Sequence, residues 1–338
     1  MKTIILGIES SCDETSASIC IDGKVMNNII ATQSIHEEYG GVVPELASRA
    51  HQKSIILVVE SALRGAEVKF SDLSAIAVTQ GPGLLGALMV GYSYAKSLAF
   101  ALDIPVINVN HMKAHILAHF IETPIPIFPF ICLTVSGGHT QIVKVNSAID
   151  MVVLGSTIDD AVGEAFDKGA KLLGFPYPGG PKIDEYAASG NPQKFSFSES
   201  QIKGLNFSFS GIKTSLLYFL RYHLKNNSDF ILENLRDICA SYQKHLISML
   251  MKKLVLAAEE TSIRQISIAG GVAANKELRT QLKQLSQKHQ WMSYIPEFEY
   301  CTDNAAMVAI SGHLYFQNKS FGHLTDAPQP RMSFLNEK

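Results

Sequence analysis

Two stretches of the chain carry the same pattern, and that repetition limits the folds open to it more than any other feature. The first reads Thr3-Ile4-Ile5-Leu6-Gly7-Ile8-Glu9, breaks at the polar turn Ser10-Ser11-Cys12-Asp13-Glu14 and resumes as a second strand over residues 16–21. The other follows a proline-rich linker, 122–129. There residues 130–135 read as a strand, Ser136-Gly137-Gly138-His139 as a tight turn and 140–145 as a returning strand. Short apolar runs rich in β-branched residues and joined by tight turns form hairpins. A chain of 338 residues also exceeds what one hydrophobic core usually organises. Two domains, each opening on a strand–turn–strand unit, are therefore expected. The two turns share little beyond serine and polarity, so the match is topological and suggests duplication.

Between the hairpins the pattern predicts a helix over 43–63, a strand over 75–79, the turn Gly81-Pro82-Gly83, a helix over 84–102 and a strand over 106–109. This order predicts a mixed sheet covered by helices. In the second half, 231–261 reads as one or two amphipathic helices and 265–269 as a strand. The turn Gly270-Gly271-Val272-Ala273-Ala274-Asn275 follows, then a charged helix over 276–288. A last helix should begin near Thr302 or Asp303 and end at Phe316, with a loose tail beyond Gly322. The expected domains are 1–121, with a C-terminal helical segment of about 303–338 packing back on it, and 127–302.

With 46% hydrophobic and 18% charged residues the chain can fill such cores. Its 29 basic and 31 acidic residues leave a net charge of −2, so any nucleic-acid contact must come from a local patch. Five scattered cysteines with no CxxC pair indicate reduced thiols and a cytoplasmic location. The N-terminal apolar run is too short for a signal peptide. The longest uncharged run, 73–95, is broken by Thr79-Gln80-Gly81-Pro82 and reads as strand, turn and helix, not a membrane span.

His111 and His115, in Asn110-His111-Met112-Lys113-Ala114-His115, lie four apart and would share one helix face, where they could hold one metal ion. Metallopeptidases with this spacing place a glutamate directly after the first histidine. Here Met112 stands there, and a thioether cannot deprotonate water. Two hydrogen-bonded structural histidines are the competing explanation, and His119, a turn further on, reads as structural. Asp303 is a candidate third ligand, although Thr302 or Asp303 would equally cap the last helix.

Three turns at strand ends, 10–14, 136–139 and 270–275, expose backbone N–H groups to a phosphate. Together they favour a nucleotide held between two lobes, although none fits a P-loop or a GxGxxG pattern. Asp160, Glu164, Asp167 and Lys168 fall at helical spacing and read first as a solvated face. Tyr177-Pro178-Gly179-Gly180-Pro181 reads as a rigid turn that could meet a flat ligand. Lys203, Lys213 and Arg221 are interleaved with Phe195, Phe197, Phe207, Phe209, Tyr218 and Tyr222. That mixture suits stacking on unpaired bases, but Phe207-Ser208-Phe209-Ser210 as a strand with one buried face is the stronger reading.

Taken in order, these blocks resemble the bacterial TsaD family, the tRNA N6-adenosine threonylcarbamoyltransferases. The blocks are 7–15, 40–49, 81–84, 111–115, 135–140, 159–168, 177–181, 207–211, 270–275 and 302–304. The resemblance implies a two-lobed actin/Hsp70/sugar-kinase-like (ASKHA) α/β fold with duplicated RNase H-like mixed sheets. It implies one divalent metal per subunit, iron foremost with zinc or magnesium as alternatives, on His111, His115 and Asp303. It places the donor, threonylcarbamoyl-AMP, against Thr134, Val135, Ser136, Gly137, Gly138, Asp167, Gly180, Asp184 and Asn275. The acceptor would be adenosine 37 in the anticodon loop of tRNAs reading codons that begin with A. The implied partners are the paralogue TsaB and the small ATPase TsaE, with no membrane. Glu14, with Asp13 second, is the expected acceptor of the amine proton. An ASKHA small-molecule kinase or ATPase is the alternative, and an older peptidase label for the family fails at Met112.

Overall fold

The computed structural model describes residues 2–33, 36, 39, 41–198 and 202–334. In chain order the elements are β1 (Ile4–Glu9), β2 (Glu14–Ile21), β3 (Lys24–Val25), β4 (Ile29–Thr32), α1 (Pro44–Gly65), β5 (Ala75–Gly81), α2 (Leu85–Leu102), β6 (Val106–Asn110) and α3 (His111–Leu117). There follow β7 (Phe130–Val135), β8 (Thr140–Val145), β9 (Met151–Ser156), α4 (Val162–Leu172), α5 (Gly179–Ala187), α6 (Ser210–Leu224) and α7 (Phe230–Thr261). Last come β10 (Gln265–Ala269), α8 (Lys276–His289), β11 (Met292–Tyr294) and α9 (Ala305–Gln317). The chain divides into unit 1 (Met1–Pro126, Asn146–Asp150, Pro296–Lys338) and unit 2 (Ile127–Val145, Met151–Ile295).

Unit 1 holds a sheet ordered β3-β2-β1-β5-β6, with β4 also on β2; β1 and β2 are antiparallel, and β1–β5–β6 run parallel. Its central strand explains itself. Ile5, Leu6 and Ile8 are fully buried, each contributing about 1.5–3 kcal/mol through the apolar surface removed from water. α1 starts with Pro44 in its first turn and lines up Ala47, His51, Ile55, Val58, Val59 and Ala62 on its buried face. α9 crosses the other side of the sheet so closely that a Cβ on Gly7 would sit 2.5 Å from the Ala309 nitrogen.

Unit 2 repeats the arrangement as β11-β10-β7-β8-β9, an antiparallel β7–β8–β9 meander followed by parallel β10 and β11. Both sheets thus place the first hairpin strand at the centre, and the expected duplication is visible in strand order.

Of the two readings open for 231–261, the single helix forms, as the 32-residue α7. Other expectations require correction. Phe207 makes an isolated bridge to Thr157, both Phe207 and Phe209 are buried, and Ser210 already begins α6, so no strand forms there. Over residues 322–334 the tail is not loose. Its Gly322, Gln329 and Pro330 make backbone hydrogen bonds to Val106, Gln80 and Gly83, and Asp326 accepts from Asn108 and Lys96. Met332 and Phe334 are buried. Composition suggested disorder because proline removes local hydrogen bonds, but here the partners are distant in sequence. Ser10-Ser11-Cys12-Asp13 and Ser136–His139 do form the strand-end turns, whereas Gly40 and residues 199–201 lie outside the described residues.

Among the described residues, one helix, α2, is long and apolar enough to cross a membrane by length and composition. Its Ala87, Leu88, Gly91, Tyr92, Ala95 and Ala99 are buried in unit 1. None of the five cysteines forms a disulfide.

Candidate functional site

In unit 1, β6 delivers the chain directly into α3. Asn110 caps that helix, its side chain accepting from the backbone N–H groups of Met112 and Lys113. His111 is thus the first helical residue and His115 lies one turn on, with ring centroids 4.7 Å apart. Asn304 caps α9 by accepting from Met307 N at 3.0 Å. The expectation of Thr302 or Asp303 as that cap is thereby corrected, and Asp303 turns to the histidines instead. Its Oδ1 lies 3.3 Å from His111 Nε2 and 3.2 Å from His115 Nε2.

These three ligand atoms lie within 4.8 Å of one another. Two imidazole nitrogens and one carboxylate oxygen form a donor set that suits iron(II) or zinc. The charges agree. Burial works to raise Asp303, yet the two histidines hold it far below the usual carboxylate range. Burial works to lower His111, but Asp303 and Glu9 outweigh it and hold the ring well above its ordinary value. A cation at this site would therefore compete with a proton for His111.

The turn from β1 to β2 brings more carboxylates. Glu14 is pushed up to about 10, by burial first and then by Asp303, Asp13 and Glu9. This excess of negative charge is the environment a dication relieves. Buried His51 braces the turn, its Nε2 3.0 Å from the Cys12 carbonyl oxygen and its Nδ1 2.7 Å from the Thr15 hydroxyl. Because a carbonyl only accepts, Nε2 donates and Nδ1 accepts.

Unit 2 contains a cavity of about 480 Å³ lined by Gly137, Asp167, Gly180, Asp184 and Asn275, together with Phe166, Pro181, Gly271 and Lys276. Asp167 Oδ1 accepts from the backbone N–H groups of Gly179 (2.8 Å) and Gly180 (3.2 Å). Burial pushes Asp167 and Asp184 above their ordinary values. Asn275 caps α8 through Leu278 N and donates to Gln243 Oε1 at 2.8 Å. No atom lies within 4 Å of a Cβ built on Gly137, Gly138 or Gly271, so internal packing does not require glycine there. Gly270 is different: its φ is +91°, and a Cβ would stand 2.5 Å from the Val135 oxygen.

Not every expected residue reaches this cavity. Thr134 and Val135 are fully buried in β7, and neither lines it. Ser136 spends its hydroxyl on the His139 N–H, and Gly138 is exposed outside the lining. The acidic run also divides. Lys168 pairs with Asp160 (2.6 Å) and Glu164 (2.9 Å) as an outer cluster, whereas Asp167 faces the cavity. Asp160 precedes α4, although its carboxylate still pairs with Lys168 on that helix. The Tyr177–Pro181 stretch is less a turn than the start of α5, with Pro178 as its cap. Sequence reasoning missed Glu9, His51, Thr79 and Gln243, all buried polar side chains inside regular elements. A charged residue in an otherwise apolar strand was the available signal for Glu9.

A statistical model of the family described as "TsaD: tRNA N6-adenosine threonylcarbamoyltransferase" matches residues 24–310. The chain is 55% identical over 336 residues to the tRNA N6-adenosine threonylcarbamoyltransferase of Christiangramia forsetii, covering 98% of this chain and 99% of that one. It is 57% identical over 332 residues to the Cytophaga hutchinsonii protein of the same name, covering 98% and 97%. In fold it is similar to full-length HypF (TM-score 0.63, 14% identity, 94% of this chain and 46% of that one). It is also similar to component A of Acidaminococcus fermentans (R)-2-hydroxyglutaryl-CoA dehydratase (TM-score 0.53, 14% identity, 94% and 99%). These neighbours share the ASKHA fold. The chain belongs to the TsaD family of tRNA N6-adenosine threonylcarbamoyltransferases.

Proposed function

We propose that this chain transfers threonylcarbamoyl from threonylcarbamoyl-AMP to N6 of adenosine 37, in tRNAs reading codons that begin with A, using the two sites described. The observation that carries the reading is the convergence of His111, His115 and Asp303 beside the Asp13–Glu14 turn. A kinase of this fold would have no use for that pair of histidines, and a peptidase would lack a base at Met112.

The unit 2 cavity takes the adenylate. Asp167 and Asp184 suit ribose hydroxyl groups as acceptors, and the bare backbone at Gly137 and Gly271 admits a phosphate closely. Nucleophilic attack forms the N6–carbonyl bond and breaks the carbonyl–phosphate bond, so AMP leaves with the electron pair. With a dication on the neighbouring ligands relieving the negative charge that raises it, Glu14 would be ionised and accept the proton released from the amine, with Asp13 as the substitute. The adenine amine is a poor nucleophile, so orientation supplies much of the acceleration. His111, His115 and Asp303 would hold a divalent metal, iron foremost, which supplies Lewis-acid neutralisation of phosphate charge when bound.

The chain works in the cytoplasm with the paralogue TsaB and the ATPase TsaE. A groove of unit 1 lined by Ile55, Met89, Val90 and Tyr94 offers apolar surface for a partner of that kind. The test is nucleoside mass spectrometry of bulk tRNA after depletion of the protein, followed by rescue with wild type or Glu14→Gln. Threonylcarbamoyladenosine should vanish on depletion and return only with wild type. Its persistence at normal levels overturns the transfer reading, and full rescue by Glu14→Gln overturns the role of that carboxylate.

A further inference from the structure

Among the described residues, the most deeply buried carboxylate of unit 1 has no part in the chemistry above. Glu9, the last residue of β1, is 0% exposed and spends both oxygens on named partners. Oε1 accepts from the Ser11 backbone N–H at 2.5 Å. Oε2 accepts from the Thr79 hydroxyl at 2.6 Å and lies 3.1 Å from His111 Nδ1. A charge held this far from water carries a large desolvation cost unless every lone pair meets a donor, so the arrangement is specific. His111 Nε2, on the other side of the ring, is the atom that approaches Asp303 Oδ1.

We infer that Glu9 is the positioning residue for His111: it holds the proton of the ring on Nδ1 and thereby presents the Nε2 lone pair to a divalent cation. A carboxylate offers only acceptors, so the ring must donate to it from Nδ1. The opposite tautomer would set two lone pairs against each other at Glu9 and place an N–H where the cation belongs. Carboxylates behind metal-bound histidines fix tautomer and orientation in this manner. His115 has no such brace, since its buried Nδ1 has no hydrogen-bond partner. The two ligands on α3 are therefore held unequally: His111 is braced from behind by β1 and β5, and His115 has no brace behind its ring.

The inference rests on the metal reading, and the experiment separates the two. Zinc affinity is measured by chelator competition on folded, metal-free wild type, Glu9→Gln and Ser11→Ala. Circular dichroism and Tm are recorded for each. In the zinc-loaded proteins, ¹⁵N-histidine NMR reads which nitrogen of His111 carries the proton. Wild type should bind one zinc with Nδ1 protonated. Glu9→Gln should weaken binding about 10- to 100-fold and perturb the His111 nitrogens, while Ser11→Ala stays within about threefold. If wild type binds no zinc, the metal reading itself fails. If Glu9→Gln folds and binds like wild type, with unchanged nitrogen shifts, the role of Glu9 is overturned. The same holds if Ser11→Ala weakens binding more than Glu9→Gln, because the Ser11 hydroxyl, 3.2 Å from Nδ1, would then be the brace. Should Glu9→Gln not fold, Thr79→Val decides. It removes only the hydroxyl on Oε2, and loss of zinc affinity supports the inference while wild-type affinity overturns it.

Discussion

The unit 1 site and the unit 2 cavity are built by opposite means. In unit 1 the working atoms are buried side chains, each ring or carboxylate held by another: Glu9 by Thr79, His111 by Glu9, and Asp303 facing both histidines. In unit 2 the cavity owes its shape to side chains that are missing, at Gly137, Gly180 and Gly271, beside a few fixed acceptors. A cation needs donor atoms at set positions and a dry setting that strengthens their field. A nucleotide needs room and backbone N–H groups. The first kind of site fails when any one member is lost, whereas the second fails when something is added.

The largest effect should therefore come from removing a ligand. His115→Ala should lower zinc affinity at least about 100-fold, beyond what loss of an outer brace costs, as read by metal content after dialysis. Retention of stoichiometric metal would break the contrast at its root. The cavity should show the reverse behaviour. Gly137→Val should fold with wild-type Tm yet weaken AMP binding at least about tenfold by calorimetry, because its side chain fills open space. Gly163 also lines the cavity, but a Cβ there would meet protein backbone, so Gly163→Ala tests packing through its effect on stability. Its Cβ would stand 2.6 Å from the Ser136 oxygen, so a loss of about 1–3 kcal/mol in urea unfolding is expected. If both variants behave alike, open and packed glycines are not distinct.

A smaller effect should appear with pH. Glu14 is raised from 4.5 to about 10 and His111 well above 6.5. Groups raised in the folded state contribute fully below their unfolded values and lose that contribution as pH climbs through the folded ones. Glu9 and Asp303 are lowered from 4.5 and 3.8, so their contributions disappear only in acid. Metal-free protein should thus lose Tm as pH rises from about 5 towards 10, and zinc should flatten the slope. A Tm that climbs over this range in chelator would contradict the charge arrangement.

The smallest effect concerns Asp159, exposed yet accepting from Ser208 Oγ, Phe209 N and both donors of Ser210 at the start of α6. Burial works to raise its carboxyl, but these bonds together outweigh it and hold the group below its ordinary value of 3.8. Asp159→Ala should cost about 0.5–1 kcal/mol at neutral pH. The difference should shrink as wild type is acidified below about pH 4.

Much of the scaffold could be read from local pattern. Residues 130–135 and 140–145 are strands with the expected ends, and His111 and His115 share a helix as their spacing requires. Local pattern failed where the partner was remote. Residues 322–334 look loose because proline and polar residues make few local bonds, yet the strap is pinned to Gln80, Gly83 and Val106. Thr302 or Asp303 was the expected cap of α9, but the next residue, Asn304, takes that place, because capping chemistry does not choose among adjacent polar side chains. Thr134 and Val135 sat in a motif but point into the core, because strand periodicity says which residues alternate, not which face meets a ligand.

From the sequence alone came the strand–turn–strand repeat, the paired histidines and the missing base at Met112, since each depends on neighbours within a few residues. The fold alone decided which acids meet them. Glu9 reaches His111 across 102 residues and Asp303 reaches His115 across 188. No periodicity spans such distances. They close only when β1 pairs beside β5 and α9 packs back on β1, and burial then turns ordinary carboxylates into a site for a cation.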